Sequence, residues 1–78
     1  MPTVLRIGQF RFHFYVDEQL EPAHIHVATP EGECKFWLSP VMLARNKGVK
    51  PVRIREIERL VRENIIILRE AYNEFHGR

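Results

Sequence analysis

Histidines at same-face spacing are the residues of this sequence whose types and positions best fit chemistry. His24 and His26 are two positions apart, and His13 precedes them. On a β-strand, residues two apart project from one face and lie about 7 Å from each other. A histidine pair beside a cation can cleave RNA without a metal, because one imidazole accepts the 2′-hydroxyl proton while another protonates the leaving oxygen. We therefore predict His24, His26 and His13 as catalytic residues, with Lys35 and Arg11 holding phosphate.

Aromatic and basic residues elsewhere in the chain predict contacts with nucleic acid. Tyr15 and Trp37 have rings on which unpaired bases can stack. Residues 45–55 contain several cations and no acidic residue. Backbone N–H groups at the start of a helix predicted there, together with these cations, would bind phosphate. The predicted nucleic-acid-binding residues are Arg11, Tyr15, Lys35, Trp37, Lys47, Lys50, Arg53 and Arg55.

Two other interpretations of the histidines stay open. His24 and His26 could share a metal ion, with His13 or Glu33 as a further ligand, although no Cys or Asp joins them. The same residues could form an ordinary polar sheet face, since histidine is a common cross-strand neighbour of Tyr and Glu. Cys34 is expected to be a small core residue. No cofactor is predicted, and the sequence leaves open whether the protein is an enzyme.

The elements that must position these residues are strands in the first half of the chain. Alternation with period two predicts strands at residues 4–7, 10–16, 24–28 and 33–38, with Gly8 in the first hairpin turn. The apolar residues of each strand must face the same helix, because a one-residue slip would bury the polar set. The opposite face is expected to be open and solvated. It would carry Arg11, His13, Tyr15, His24, His26, Glu33, Lys35 and Trp37.

The second half of the chain predicts two helices. Ser39 is typical of a helix N-cap and Pro40 of a first helical position, which favours a short helix within residues 39–48. Pro51 begins a long helix over residues 51–76, and Gly77 ends it. The apolar stripe of the long helix is wider than one sheet face needs. The surplus comprises Leu60, Ile67 and Ala71.

Length and composition predict one small domain of the α+β class. The chain has 78 residues, which leaves no room for a second domain beside residues 1–78. In this domain a four-stranded antiparallel sheet (residues 1–38) is covered on one face by the helices. A single cysteine cannot form an internal disulfide, and no run approaches the roughly 20 apolar residues of a membrane span. We expect a cytoplasmic protein with no membrane partner.

Several segments of the chain resemble a known family. They are MPTVLRIG (1–8), EPAHIHV (21–27), ATPEGECKFWL (28–38) and REIER (55–59). Together they resemble the bacterial domain of unknown function 4160 (DUF4160) family over essentially the whole chain, and the Pro-x-His-x-His element is specific to it. Ala23 departs from the second proline that the family would show. The resemblance implies a small bacterial protein often encoded beside another short protein, an arrangement similar to a toxin–antitoxin pair.

These observations predict a toxin–antitoxin-type module that acts on RNA, or on nucleic-acid machinery, through the histidine-bearing sheet face. The rival hypothesis is a non-enzymatic interaction module. In that hypothesis the surplus apolar side of the C-terminal helix binds a small cognate partner protein, antitoxin-like in role, or a second copy in a homodimer. The third hypothesis is a metal-binding protein that uses His24 and His26.

Overall fold

The first half of the chain, and a segment beyond it, form a five-stranded antiparallel sheet. The computed structural model describes residues 3–15 and 20–76. Each strand pairs with the strand that precedes it in the chain, and two helices follow the sheet. The α+β class with an antiparallel sheet is therefore confirmed. The elements are β1 (Thr3–Ile7), β2 (Phe10–His13), β3 (His24–Ala28), β4 (Glu33–Leu38), β5 (Val41–Lys47), α1 (Pro51–Glu63) and α2 (Ile65–Phe75).

The predicted strands at residues 24–28 and 33–38 match β3 and β4, and the first hairpin also forms as predicted. Gly8 has a φ of 58°, the left-handed conformation that glycine adopts without a steric penalty, and it lets Ile7 pair with Phe10. The second strand is shorter than predicted, since β2 ends at His13. Val16, the end of that prediction, lies outside the described residues.

The predicted short helix within residues 39–48 is wrong, and the sheet has five strands instead of four. Ser39 and Pro40 form a turn with a cis peptide bond, after which the chain doubles back along β4. Val41 then lies opposite Leu38, and Lys47 opposite Glu33. Serine followed by proline is common in turns as well as at helix starts, so this pair does not decide between the two. Pairing with β4 decides for the strand, because it satisfies the backbone groups of both strands.

The predicted long helix over residues 51–76 is interrupted at Asn64. This residue has φ −113° and ψ 21°, and its side-chain amide donates to the Leu60 carbonyl at 2.8 Å. Such a bond to the backbone offers an alternative to the helical ladder. Because of the interruption, α1 packs on β4 and β5 while α2 packs on β3 and β4. Gly77, the predicted end of the helix, lies outside the described residues.

The helices cover the apolar face of the sheet. Phe12, Ile25 and Phe36 are completely buried there, and Leu60 belongs to the same core. Ala71 is half-buried against it, so only Ile67 of the predicted surplus remains exposed, beside the exposed Ile66. Within residues 3–15 and 20–76, no helix combines the length and apolar character that a membrane crossing requires.

Candidate functional site

The face of the sheet opposite the helices collects the predicted aromatic and histidine residues. His13 lies directly across from His26, and their rings stack with centroids 5.6 Å apart. The His26 ring also contacts the Tyr15 ring at 4.4 Å and the His24 ring at 5.2 Å. These contacts confirm the prediction, made from the period-two alternation, that the four rings lie on one face of the sheet. The expectation of an open face is wrong, however, since His13 and His24 are 0% exposed, His26 is 6% and Lys35 is 5% exposed.

A short segment before β3 accounts for part of this burial. The Glu21 carboxylate forms an ion pair with the Lys35 ammonium, and the Tyr72 hydroxyl of α2 donates to the Glu21 carbonyl at 3.0 Å. The His24 Nδ1 donates to the Pro22 carbonyl at 2.9 Å. These bonds hold the segment against the polar face. The centre of that face is therefore enclosed by polar groups, each of which must find a partner away from water.

Three side chains lie within 3.7 Å of one carboxylate oxygen of Glu33, Oε2. The Tyr15 hydroxyl donates to Oε2 at 2.7 Å. The His26 Nδ1 lies 3.4 Å from the same oxygen, and the His13 Nε2 lies 3.7 Å from it. A carboxylate accepts hydrogen bonds and orients an imidazole by attracting its N–H. Glu33 therefore fixes the positions of Tyr15 and His26 together.

His13 is the most enclosed of the histidines near Glu33. Neither of its ring nitrogens makes a hydrogen bond of good geometry with a described residue. Burial lowers the pKa of this imidazole below its ordinary 6.5. The Glu33 charge opposes the decrease, while Arg11 and His26 add to it. His13 is consequently neutral at pH 7 and has no access to a ligand, which leaves it a packing neighbour of His26.

A pocket of about 230 Å³ opens beside this cluster and is lined by residues of β3, β4 and β5 together with Tyr15. The pairing of Lys35 with Arg45 and of Glu33 with Lys47 brings the cations of β5 next to β4. Gly32 helps to place them, because a Cβ there would collide with the Lys47 carbonyl. The lining residues are Tyr15 and His26, then Glu33, Cys34 and Lys35 from β4, and Arg45 and Lys47 from β5.

The cations of the pocket differ in how they are neutralised. The Lys35 ammonium is paired with Glu21 and lies 4.7 Å from the centroid of the Trp37 ring. Arg45 and Lys47 are exposed, and no carboxylate among the described residues lies within ion-pair distance of either. The Glu33 carboxylate also lines the pocket, but it accepts from the Tyr15 hydroxyl, and the two cations that no described carboxylate pairs favour an anion.

Cys34 is not a reactive residue of this pocket, although it contributes to the lining. The side chain belongs to the apolar core, as predicted. Burial, with a smaller contribution from the Glu33 charge, raises the pKa of the thiol to about 12. The thiol therefore stays protonated at pH 7 and is a poor nucleophile.

Four predicted site residues meet at the pocket and the others do not. His26, Tyr15, Lys35 and Lys47 line it. The predicted catalytic residues His13 and His24 do not line it, and both are fully buried. Trp37 contacts the Lys35 and His24 side chains, whereas the Arg11 guanidinium donates to the Thr3 hydroxyl at 3.2 Å.

The predicted phosphate site at the start of α1 is occupied by a carboxylate. The Lys50 backbone N–H donates to Glu31 Oε1 at 3.3 Å, and the Lys50 ammonium lies 3.7 Å from Glu31 Oε2. Arg53 pairs with Glu56 at 3.1 Å. Arg55 is exposed on the helix surface. Glu31 and Glu56 thus compensate the charges of Lys50 and Arg53, two of the residues that the sequence assigned to phosphate.

The metal alternative has no supporting arrangement in the part of the chain that the structure describes. There, no three His, Cys, Asp or Glu side chains are placed to hold a metal ion. The His24 Nδ1 already donates to a carbonyl, and the His13 and His26 rings are stacked with 25° between their planes. The metal site at His24 and His26 stays a prediction.

Arg45 is the pocket cation that the site prediction missed. It belongs to the basic run of the sequence but was placed on a helix, where its side chain would not share a face with Lys47. On a strand, two residues two apart do share a face. Their spacing was therefore the signal, and it becomes informative only once β5 is recognised.

Comparison with known proteins gives one match. The model of a family described as Domain of unknown function (DUF4160) matches residues 10–73. This segment contains strands β2 to β5, α1, most of α2 and every residue that lines the pocket. No curated protein and no solved structure matches the chain significantly. Because the family match covers well over half of the sequence, the chain belongs to the DUF4160 family.

Proposed function

We propose that this protein is a toxin–antitoxin-type module that binds single-stranded RNA by holding a phosphate in the pocket lined by Tyr15, His26 and residues of β4 and β5. The observation that carries the proposal is the pair Arg45 and Lys47, two cations with no carboxylate partner among the described residues. An arginine guanidinium binds two phosphate oxygens at once, and a lysine supplies a point charge beside it.

Comparison with the helix cations supports the choice of this pocket. On α1, the exposed Arg55 has no ion-pair partner among the described residues, but Arg59 pairs with Glu63 and Arg62 with Glu58, so these two charges each have a negative neighbour one turn away. A phosphate binding there would compete with these carboxylates. No described carboxylate is paired with Arg45, and the Glu33 carboxylate that lines the same pocket accepts a hydrogen bond from the Tyr15 hydroxyl.

The size and walls of the pocket favour an unpaired nucleotide. A volume of about 230 Å³ is below the roughly 300–1,000 Å³ of pockets that enclose drug-sized ligands, so it fits a phosphate with part of one nucleotide. Tyr15 on the wall offers an aromatic ring to an unstacked base. A base-paired segment cannot bring its bases to that ring, because they are stacked inside the helix.

A binding measurement with matched variants tests the proposal. A labelled 12-nucleotide single-stranded RNA would be titrated by fluorescence anisotropy with the wild type, with the R45A/K47A double variant and with the K50A/R53A double variant. Both variants remove the same charge, but only the first removes it from the pocket. We expect R45A/K47A to bind at least about 10-fold more weakly and K50A/R53A to stay within about threefold of the wild type. Equal losses in the two variants would refute the pocket.

Growth after induced expression tests the toxin–antitoxin part separately. The wild type is expected to slow growth of the host, and R45A/K47A is expected not to. Replacing His24 is unsuitable for this test because the residue is fully buried and bonded to the backbone of Pro22. If the wild type leaves growth unchanged while it binds RNA, the toxin role is excluded and RNA binding stands.

One observation supports the alternative function, a non-enzymatic module that binds another chain through the C-terminal helix. Ile66 and Ile67 are adjacent on α2 and expose 68% and 52% of their surface. Neighbouring large apolar side chains in water favour contact with another chain. Mass measurement in solution, with the wild type and an I66E/I67E variant, tests for a homodimer through this helix. A dimer that the variant abolishes supports the alternative, and a wild-type monomer contradicts the homodimer.

A further inference from the structure

We infer that the pocket also cleaves the RNA it binds, by attack of the 2′-hydroxyl on the neighbouring phosphate, with His26 as the base and Lys35 as the acid. This inference rests on the proposed RNA binding and adds a reaction to it. Both residues line the same pocket as the uncompensated cations Arg45 and Lys47. The reaction therefore needs no group that the chain does not provide.

His26 is prepared for the role of base by Glu33. Its Nδ1 lies 3.4 Å from the Glu33 carboxylate, which favours the tautomer with the proton on Nδ1. In this mechanism Nε2 is the nitrogen that accepts the proton. Glu33 also accepts from the Tyr15 hydroxyl at 2.7 Å, so it aligns the imidazole with the pocket wall. Glu33 is accordingly a positioning residue and not a proton carrier.

Lys35 is the pocket group best placed to protonate the leaving oxygen. The Arg45 guanidinium does not lose a proton under ordinary conditions, and the exposed Lys47 ammonium has no described side-chain partner that would hold it in position. The Tyr15 proton is directed at Glu33, and the Cys34 thiol is buried with a pKa of about 12. Lys35 is held in place by the Glu21 carboxylate and the Trp37 ring, which limits its freedom before the reaction.

The reaction balances with these residues alone. The proton of the 2′-hydroxyl moves to His26 as the 2′-oxygen forms a bond to phosphorus. The bond between phosphorus and the 5′-oxygen breaks, and that oxygen receives a proton from Lys35. The products are a 2′,3′-cyclic phosphate and a 5′-hydroxyl end. Water then carries the proton from the His26 imidazolium to the Lys35 amine. Nothing is oxidised or reduced.

Arg45 and Lys47 supply the electrostatic part of the mechanism. Negative charge increases on the phosphate oxygens as the fifth bond to phosphorus forms. Cations already in place stabilise this charge without reorganisation during the step. Since no described carboxylate compensates them, their full charge is available to the transition state.

Two oligonucleotides of one sequence separate cleavage from binding. One is an all-ribose single strand and the other carries 2′-O-methyl groups throughout, and both are incubated with the wild type in the presence of a chelator. We expect both to bind and only the all-ribose strand to be cut, leaving a 2′,3′-cyclic phosphate. Binding of the all-ribose strand without cleavage would overturn the inference and leave the proposed function intact. Absence of binding would overturn both.

Variants of the pocket assign the roles. His26→Gln is expected to lower the cleavage rate by at least about 100-fold while binding changes less than about threefold. K50A/R53A, outside the pocket, should cleave at the wild-type rate. Glu33→Gln is expected to change the pH dependence of the rate as well as its size, which loss of packing alone would not do. Unchanged cleavage by His26→Gln contradicts the assignment. If that variant does not fold, the 2′-O-methyl comparison with the wild type still decides on the reaction.

Discussion

The two faces of the sheet are both enclosed at their centres, but by different kinds of group. Phe12, Ile25 and Phe36 pack on one side in a cluster made of apolar side chains from the sheet and the helices. On the other side His24 and Lys35 are equally enclosed. Their neighbours there are carboxylates, carbonyls and rings. Burial alone therefore does not distinguish the core of this protein from its candidate site.

This difference separates two contributions to the fold. One face supplies most of the stability, and the other fixes the positions of polar side chains. Apolar packing is non-directional and proportional to area, so the helix-covered face contributes most of the free energy of folding. Polar groups have directional partners, and each must be satisfied when buried. The Glu33 oxygen shows the result, since the Tyr15 hydroxyl donates to it and the His26 Nδ1 lies 3.4 Å from it. Such an arrangement holds side chains in the fixed positions that a ligand or a reaction requires.

Phe36→Ala is expected to have the largest effect on stability. The side chain is fully buried at the centre of the apolar face, and its loss leaves a cavity. We expect the free energy of unfolding to fall by about 3–5 kcal/mol, measured by urea denaturation. Lys47→Ala, on the opposite side and exposed, is the control and should change it by less than about 0.5 kcal/mol. A cost below about 1 kcal/mol for Phe36→Ala would contradict the assignment of the core.

His24→Ala is expected to have an intermediate effect, through the fold and not through chemistry. The imidazole is enclosed between the Trp37 and Tyr72 rings and donates to the Pro22 carbonyl. Its removal should lower the free energy of unfolding by about 1–3 kcal/mol in the same urea experiment. Arg45→Ala should leave stability within about 0.5 kcal/mol of the wild type. A fully stable His24→Ala protein that had lost activity would restore His24 as a candidate catalytic residue.

His13 is expected to give the smallest effect, a dependence of stability on pH. Because its pKa in the folded protein is below 6.5, the unfolded chain binds a proton first as the pH falls. Stability from this residue is therefore complete above pH 6.5 and decreases below it. Urea midpoints between pH 5 and 8, compared for the wild type and His13→Phe, isolate this contribution. The variant should show the shallower decrease, and a steeper one would contradict the burial of a neutral imidazole.

Much of the sheet could be predicted because its pattern is local. Alternation over four segments identified the strands and the faces of their side chains. The turn at Ser39 and Pro40 could not be told from a helix start, because the same residues favour both. Enclosure of the polar face depends on contacts between residues far apart in the chain, such as the bond from the Tyr72 hydroxyl to the Glu21 carbonyl. No local pattern encodes such a contact.

The candidate site was predicted in part for the same reason. His26, Tyr15 and Lys35 lie on predicted strands, and they were assigned correctly to one face. The site prediction omits Arg45 because the sequence favours a helix where the structure has strand β5. Lys50 was assigned to phosphate because the sequence shows a cation near a helix start but not the Glu31 carboxylate that the fold brings to it. Charge in a sequence indicates a binding site only when the counter-charges are also known.

The salt dependence of RNA binding tests the central claim most directly. Each phosphate contact with a single strand contributes about 0.7 to the slope of log affinity against log salt concentration. Because Arg45 and Lys47 hold the same phosphate, R45A/K47A should have a slope for the 12-nucleotide RNA that is shallower than that of the wild type by about 0.7, whereas K50A/R53A should match the wild type. The same slope for the wild type and R45A/K47A would show that these cations do not contact phosphate, and the pocket would then not be the RNA-binding site.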